Sequence, residues 1–98
     1  MSKYLVMWES NLNLIPADAQ ERIEMNMKML EATKQMLSNG EAEDWGLFIG
    51  GGKGYAISEG DATKAFKNLQ QFAPYIIFNV QEVMAVDEVL DALKTMMG

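Results

Sequence analysis

Cysteine and histidine are both absent from the sequence. Without cysteine there is no disulfide framework, no thiolate zinc site and no cysteine nucleophile. Without histidine there is no imidazole ligand for haem, zinc or copper, and the side chain most often used as a general base near neutral pH is missing. Any catalysis must use carboxylates, Tyr, Lys, Asn, Trp or backbone groups, and we expect no cofactor and no metal.

Basic residues are also scarce. Eight Lys and Arg stand against 14 Asp and Glu, the formal net charge is −6, and Arg22 is the one arginine. The lysines are scattered singly among acidic residues. Nucleic-acid binding depends on clustered Lys and Arg that neutralise phosphates, so we expect no nucleic-acid partner.

Long apolar runs are missing as well. The N-terminal apolar stretch from Tyr4 to Trp8 stops at Glu9, whereas a membrane-spanning helix needs about 20 apolar residues. The same stretch is too short for the core of a signal peptide. We therefore expect no membrane partner and a cytoplasmic location.

Apolar residues are nevertheless plentiful, at 49% of the 98 residues. A domain of this size buries only about 60–70% of the surface that its unfolded chain exposes. Its own core is therefore thin, and the surplus apolar side chains indicate a subunit interface or an apolar ligand cavity.

The order of predicted elements is β-α-β-β-α-β followed by a last helix, in a single domain covering residues 1–98. Proline and glycine mark the breaks, and Asp18, Asp61 and Asp87 are the expected helix N-caps. We expect Pro74 to end the second helix. The predicted segments are a strand at 3–9, a helix from 18 to about 37, a hairpin of 45–49 and 55–58, a helix from 61, a strand at 75–83, and a helix from 87.

This order predicts an α+β, ferredoxin-like fold with a four-stranded antiparallel sheet and two helices on one face. The first strand is apolar on both sides, with Tyr4, Val6 and Trp8 on one and Leu5 and Met7 on the other. The uncovered side of the sheet should then be buried by a second copy, which predicts a homodimer or a higher oligomer.

The first helix carries two apolar stripes, although packing on one sheet needs only one. We expect the first stripe to face the core and the second to contact the C-terminal helix or a partner subunit, or alternatively to form a pliable ligand wall. The first stripe comprises Ile23, Met27, Leu30 and Leu37, and the second comprises Met25, Met29, Ala32 and Met36.

The chain resembles small uncharacterised prokaryotic proteins of the dimeric α+β barrel group. The resemblance covers nearly the whole chain, and it is one of layout more than of catalytic motif. It is carried by Lys3-Tyr-Leu-Val-Met-Trp-Glu9, Asp44-Trp-Gly, Gly54-Tyr-Ala-Ile-Ser-Glu-Gly60 and Pro74-Tyr75.

In that group two sheets pack face to face, and each subunit keeps a cavity between its sheet and its helices. Members include muconolactone isomerases, cofactor-free antibiotic-type monooxygenases and many proteins of no known activity. Some of the enzymes rely on a histidine that this chain lacks.

Polar residues follow the first strand, where the resemblance implies a cavity mouth. Glu9 could move a proton, Asn11 or Asn13 could hold an oxyanion, and Trp8 could stack on a flat ligand. These three polar residues are our best catalytic candidates. A packed Trp, a solvated Glu and turn-forming Asn residues are the interpretation that we favour.

The strands and the glycine-rich hairpin supply the other candidates. Phe48, Tyr55 and Phe78, together with Trp45 and Trp8, could line a cavity, although aromatic residues in strands are more often packing. Gly50-Gly-Gly-Lys-Gly54 matches neither phosphate-loop pattern and predicts a turn, with Lys53 as its charge. The acidic residues Glu41, Glu43 and Asp44 lack calcium-loop spacing and indicate a solvated loop.

The leading hypothesis is a homodimer that binds a small apolar or aromatic molecule, or is structural, without turnover. The ligand-binding residues would be Trp8, Phe48, Lys53, Tyr55 and Phe78. The alternative is a cofactor-independent monooxygenase or isomerase with Glu9 as the base and Trp8 and Tyr55 as ligand walls. A third possibility is a regulatory partner of a larger protein.

Overall fold

The computed structural model describes residues 2–98, which form four strands and three α-helices. A 3₁₀ turn at Leu12–Leu14 follows the first strand. Each strand or helix predicted from the sequence is present, with ends that differ by one or a few residues. In chain order they are β1 (Ser2–Ser10), α1 (Ala19–Ser38), β2 (Asp44–Leu47), β3 (Lys53–Gly60), α2 (Ala62–Gln70), β4 (Ile76–Val83) and α3 (Val86–Met96).

The four strands form one antiparallel sheet in the order β2-β3-β1-β4. This α+β arrangement is compatible with a ferredoxin-like fold. Strand β1 lies at the centre, where Trp8 is paired with Gly54 of β3 and with Phe78 of β4. Because side chains alternate along a strand, even-numbered residues of β1 lie on the face that carries α1 and α2. We call this the helix face, and the opposite one the bare face.

Aspartate caps begin the first two helices, as the sequence predicts. The carboxylate of Asp18 accepts a hydrogen bond from Glu21 N at 3.0 Å, and that of Asp61 accepts one from Lys64 N at 2.8 Å. The prediction for α3 is wrong: its N-cap is Ala85, and Asp87 lies in the first turn. Glu88 takes over part of the capping role, because its carboxylate accepts from Ala85 N at 2.9 Å.

Helix α1 presents the opposite stripe from the one expected. Its less exposed residues are Met25, Met29, Ala32 and Met36. The stripe predicted to face the core is open instead, since Ile23 is 58% exposed and Met27 is 55% exposed. Both stripes repeat with helical spacing, so periodicity alone does not decide between them. The loop after α1 is hydrogen-bonded to the end of the helix on its methionine side, where Ala42 N donates to Met36 O at 3.1 Å.

The end of α2 also differs from the prediction. The helix stops at Gln70, and Phe72 and Ala73 belong to the turn before Pro74. Phe72 still packs inward, with its ring edge-on to that of Phe78 at 6.3 Å between centroids. Phe66 of α2 is 62% exposed.

The protein has very little buried apolar material. Among residues 2–98, the buried hydrophobic side chains are those of Tyr4, Val6 and Ala42. Every residue from Met84 to Gly98, including all of α3, is exposed. The radius of gyration is 16.3 Å, whereas a compact domain of this length has about 13 Å.

The accessible surface area also indicates that little of the chain is buried. It is 7185 Å², whereas a compact monomer of 11.0 kDa exposes about 5,600 Å². The chain therefore exposes about 1,600 Å² more than a compact monomer of its mass. Within residues 2–98, no helix combines the length and the apolar character needed to cross a membrane.

Candidate functional site

A cavity of about 330 Å³ lies between the helix face of the sheet and the helices α1 and α2. Its floor is formed by side chains of β1, β3 and β4, including Val6, Ala56 and Phe78. The roof is the methionine side of α1, with Met29 and Met36. The apolar character of both floor and roof makes this the main candidate site.

Two tryptophans form one wall of the cavity. The rings of Trp8 and Trp45 are stacked, with centroids 5.4 Å apart and planes inclined by 9°. Trp8 Nε1 donates to Tyr55 O at 3.3 Å, so the indole N–H already has a partner. The pair can therefore offer ring surface to a ligand, but the Trp8 N–H is already engaged.

A glycine makes room for this tryptophan pair. Gly54 is buried opposite Trp8, and a Cβ at this position would overlap the Trp8 ring and the carbonyl oxygen of Gly46. The glycine is therefore required by the close approach of β2, β3 and the Trp8 ring. Gly51 and Gly52, with φ of 83° and 77°, instead serve the turn itself.

The polar groups of the cavity are few and neutral. Ser10, Asn26 and Thr33 line it, and Thr33 Oγ1 is engaged with Met29 O at 2.8 Å. No lining residue in the described chain is Asp, Glu, Lys or Arg. The cavity can therefore offer a hydroxyl and an amide to a ligand, but neither a charge nor a general base.

Several predicted site residues gather at a different place. Glu9, Phe48 and Lys53 line a second depression of about 230 Å³, which Trp8 and Phe78 also border. Lys53 Nζ lies 3.9 Å from Glu9 Oε2, and both side chains are largely exposed. Glu9 is an odd-numbered residue of β1, so it lies on the bare face and not in the main cavity.

The two asparagines have a local structural role. Asn11 Oδ1 accepts from Asn13 N at 3.2 Å, and Asn11 Nδ2 donates to Pro74 O at 3.2 Å. Asn11 is also the N-cap of the 3₁₀ turn. These bonds fit the turn-forming interpretation, and neither asparagine lines the cavity.

Tyr55 points to the bare face and is held by β2. Its hydroxyl donates to Asp44 Oδ2 at 2.7 Å. The pKa of Tyr55 is raised above its usual value, most by this hydrogen bond and less by burial and by the charge of Asp44. Tyr55 therefore stays protonated as a hydrogen-bond donor, and it lines neither depression.

Part of the cavity wall was not predicted from the sequence. Ser10, Asn26 and Thr33 were not proposed as site residues, although Ser10 shares its strand face with Trp8. Met29 and Met36 were recognised as a possible ligand wall, but helix or subunit contact was favoured for them. The sequence feature that could have indicated this wall is the second apolar stripe of α1, which contains Met29 and Met36.

Glu43, one of the acidic residues before β2, interacts with charged side chains of β1 and β3. Lys3 Nζ lies 3.6 Å from Glu43 Oε2. Glu59 shares a hydrogen bond with Glu43, which raises the pKa of the Glu59 carboxyl. Within residues 2–98, no group of three or more acidic side chains has a geometry that could hold a metal ion.

No protein-family model matches the chain, and a search of curated proteins found no match. The likeness to dimeric α+β barrel proteins therefore stays a prediction.

The close approach at Gly54 gives a first prediction. Gly54→Ala should lower the free energy of unfolding by about 2–3 kcal/mol, because the added Cβ overlaps Gly46 and Trp8. It should also shift the tryptophan emission, since the Trp8 ring must move. Urea unfolding followed by tryptophan fluorescence measures both effects.

Gly50→Ala is the matched control for this prediction. A Cβ at Gly50 meets nothing within 4 Å, so stability and emission should stay near those of the parent protein. Equal behaviour of the two variants would contradict the packing described for Gly54.

The pair Glu59 and Glu43 gives a second prediction. A carboxyl whose pKa is raised in the folded state binds more protons there than in the unfolded chain, so it stabilises the fold at low pH. That contribution is lost as the pH rises from the ordinary value of 4.5 through the raised pKa. Glu59→Gln should therefore flatten the pH dependence of stability in this range and stabilise the fold at neutral pH.

The measurement is the urea midpoint at a series of pH values. Glu31→Gln is the control, because Glu31 is an exposed α1 carboxylate with no hydrogen bond or ion pair in the described chain. An unchanged pH slope in Glu59→Gln would show that the two carboxyls do not interact.

Proposed function

We propose that the protein is a cytoplasmic homodimer that binds a small, neutral, apolar or aromatic molecule without turning it over. The observation that carries this proposal is the apolar cavity between the sheet and α1. Its volume of about 330 Å³ lies at the small end of the range of about 300–1,000 Å³ that ligand sites occupy.

The chemistry of the walls supports a flat apolar ligand. The stacked pair of Trp8 and Trp45 offers an aromatic surface, and Met29 and Met36 offer flexible, polarizable side chains that adapt to shape. Ser10 and Asn26 offer hydrogen bonds for one polar substituent. A charged ligand finds no counter-ion among the lining residues of the segment 2–98, so its desolvation would be uncompensated.

The placement of Glu9 weighs against the catalytic alternative. A cofactor-independent oxygenase or isomerase was expected to use Glu9 as its base within the cavity. Glu9 instead lies on the bare face beside Lys53, and among the described residues that line the cavity none has an ionisable side chain to replace it. Binding without turnover is therefore the function that the geometry supports best.

The bare face supports the dimer. Met7 is 38% exposed and Ile77 is 49% exposed on it, and the half-buried Leu5 and Ile57 lie beside them. Two such faces packed together would give the arrangement of a dimeric α+β barrel. A stable interface buries about 800 Å² on each partner, and the excess surface of each chain is about twice that.

A neutral aromatic probe tests ligand binding. N-phenyl-1-naphthylamine should bind with quenching of tryptophan emission, whereas its anionic relative 1-anilinonaphthalene-8-sulfonate should bind more weakly, since the cavity has no cation. Ala56→Leu, which fills the floor, should weaken probe binding by at least about tenfold. Native mass spectrometry of the same samples should give twice the chain mass of 11.0 kDa.

Ile57→Leu is the matched control, because residue 57 is the next position on β3 but lies on the bare face. It should leave probe affinity unchanged. If the probe binds Ala56→Leu as tightly as the parent protein, the cavity is not the binding site. A monomer in native mass spectrometry would overturn the dimer.

A further inference from the structure

Helix α1 runs antiparallel to β1 above the cavity. The loop after α1 is bonded to β3, where Glu43 N donates to Ile57 O at 2.8 Å, and Ile57 is paired with Leu5 of β1. The C-terminal end of α1 therefore lies near the start of β1, and its N-terminal end lies towards Ser10.

The lining residues of α1 and β1 therefore follow one another in opposite order. Along α1 the lining runs from Asn26 to Met36, a rise of about 15 Å. Along β1 it runs from Val6 to Ser10, a distance of about 13 Å. Met36 accordingly lies at the Val6 end of the cavity, and Asn26 lies at the Ser10 end.

The Val6 end of the cavity is apolar and closed. Val6 is 3% exposed and Ala42 is 6% exposed, and Met36 is half-buried. Trp45 borders the same end, because it is paired with Ala56, which is paired in turn with Val6. A ligand ring at this end would contact apolar side chains and be shielded from water.

The Ser10 end is polar and open to solvent. Of the residues that line it, Asn26, Gly51 and Gly52 are exposed and Ser10 is half-buried. Ser10 N donates to Gly52 O at 2.8 Å, but the hydrogen bonds within residues 2–98 use neither the Ser10 hydroxyl nor the Asn26 side-chain amide. Both groups are therefore available to a ligand at the opening.

These two groups define the substituent that would complement them. A serine hydroxyl and an asparagine amide each offer a donor and an acceptor. A hydroxyl on the ligand can donate to one and accept from the other, whereas an ether or a ketone can only accept. Ser10 lies two residues, about 7 Å, beyond Trp8 along β1, so a flat ring lying against Trp8 would carry a hydroxyl on its outer edge towards Ser10.

Arg22 lies one turn before Asn26 but does not make the opening a site for anions. Its Nη1 donates to Pro16 O at 3.3 Å and to Ala17 O at 3.4 Å. It is also not among the described residues that line the cavity. A neutral hydroxyl therefore fits this end better than a carboxylate.

We propose that the ligand is a neutral aromatic alcohol, bound with its ring towards Val6 and its hydroxyl at the opening, and that Ser10 and Asn26 determine this specificity. The proposal rests on the binding function proposed above. A cavity without these two groups would favour the unsubstituted hydrocarbon, because burying a hydroxyl without a partner costs free energy. The order of affinity for an alcohol and its parent hydrocarbon is therefore diagnostic.

Displacement of bound N-phenyl-1-naphthylamine measures the affinities of 2-naphthol, naphthalene and 2-naphthoate. The parent protein should bind 2-naphthol more tightly than the other two. When Ser10→Ala and Asn26→Leu are combined, the ratio of the 2-naphthol affinity to the naphthalene affinity should fall by at least about fivefold, so that naphthalene becomes the tighter ligand.

Gln35→Leu is the matched control. Residue 35 lies nine positions after Asn26 and so on the opposite side of α1, and its side chain is exposed. This variant should leave the affinity ratio unchanged. In the parent protein, the side-chain amide NMR signals of Asn26 give a second readout: they should shift when 2-naphthol is added and much less with naphthalene.

Two results would overturn the specificity and leave the proposed ligand site standing. One is a parent protein that binds naphthalene as tightly as 2-naphthol, and the other is a preference for 2-naphthol that survives the loss of both Ser10 and Asn26. Tighter binding of 2-naphthoate would also overturn it, because the opening would then recognise an anion. If neither the naphthylamine probe nor any of the three compounds binds, the proposed function itself fails.

Discussion

Strand β1 is the element on which the rest of the structure depends. It is hydrogen-bonded to β3 on one side and to β4 on the other, so its register fixes both neighbours. Its alternation sends Val6, Trp8 and Ser10 to the helix face and Met7 and Glu9 to the bare face. A shift by one residue would exchange these sets and remove the cavity floor and the tryptophan stack together.

This alternation also separates the chemistry of the two faces. On the helix face the cavity has aromatic, aliphatic and thioether walls with neutral polar groups. On the bare face the charged residues pair with one another, as Glu9 does with Lys53, around exposed Met7 and Ile77. One face can therefore receive a neutral molecule, while the other combines apolar area with exposed ion pairs, which is a composition suited to a subunit interface.

Local signals made much of the fold predictable, because caps and strand alternation depend on neighbouring residues. Asp18 and Asp61 were identified as caps, and the structure has both. The face of α1 could not be assigned, because two stripes satisfy the same helical period. Asp87 failed as a cap because Ala85 and Glu88 compete for the same helix start.

The candidate site was less predictable, because it depends on which strand face meets which helix. Proximity in sequence placed Glu9 with Trp8, but adjacent residues of a strand point to opposite faces. Asn11 was chosen for its chemistry, although its hydrogen bonds serve the turn before α1. Thr33 and Asn26 could join the site only once α1 was oriented with its methionine stripe towards the sheet.

Leu30 shows how the cavity and the thin core are related. It lines the cavity, yet its side chain is 48% exposed, so α1 covers the sheet only in part. A ligand in the cavity would bury apolar surface that the folded chain alone leaves open. In a chain whose buried hydrophobic residues, among those described, are Tyr4, Val6 and Ala42, ligand binding should therefore raise the free energy of unfolding.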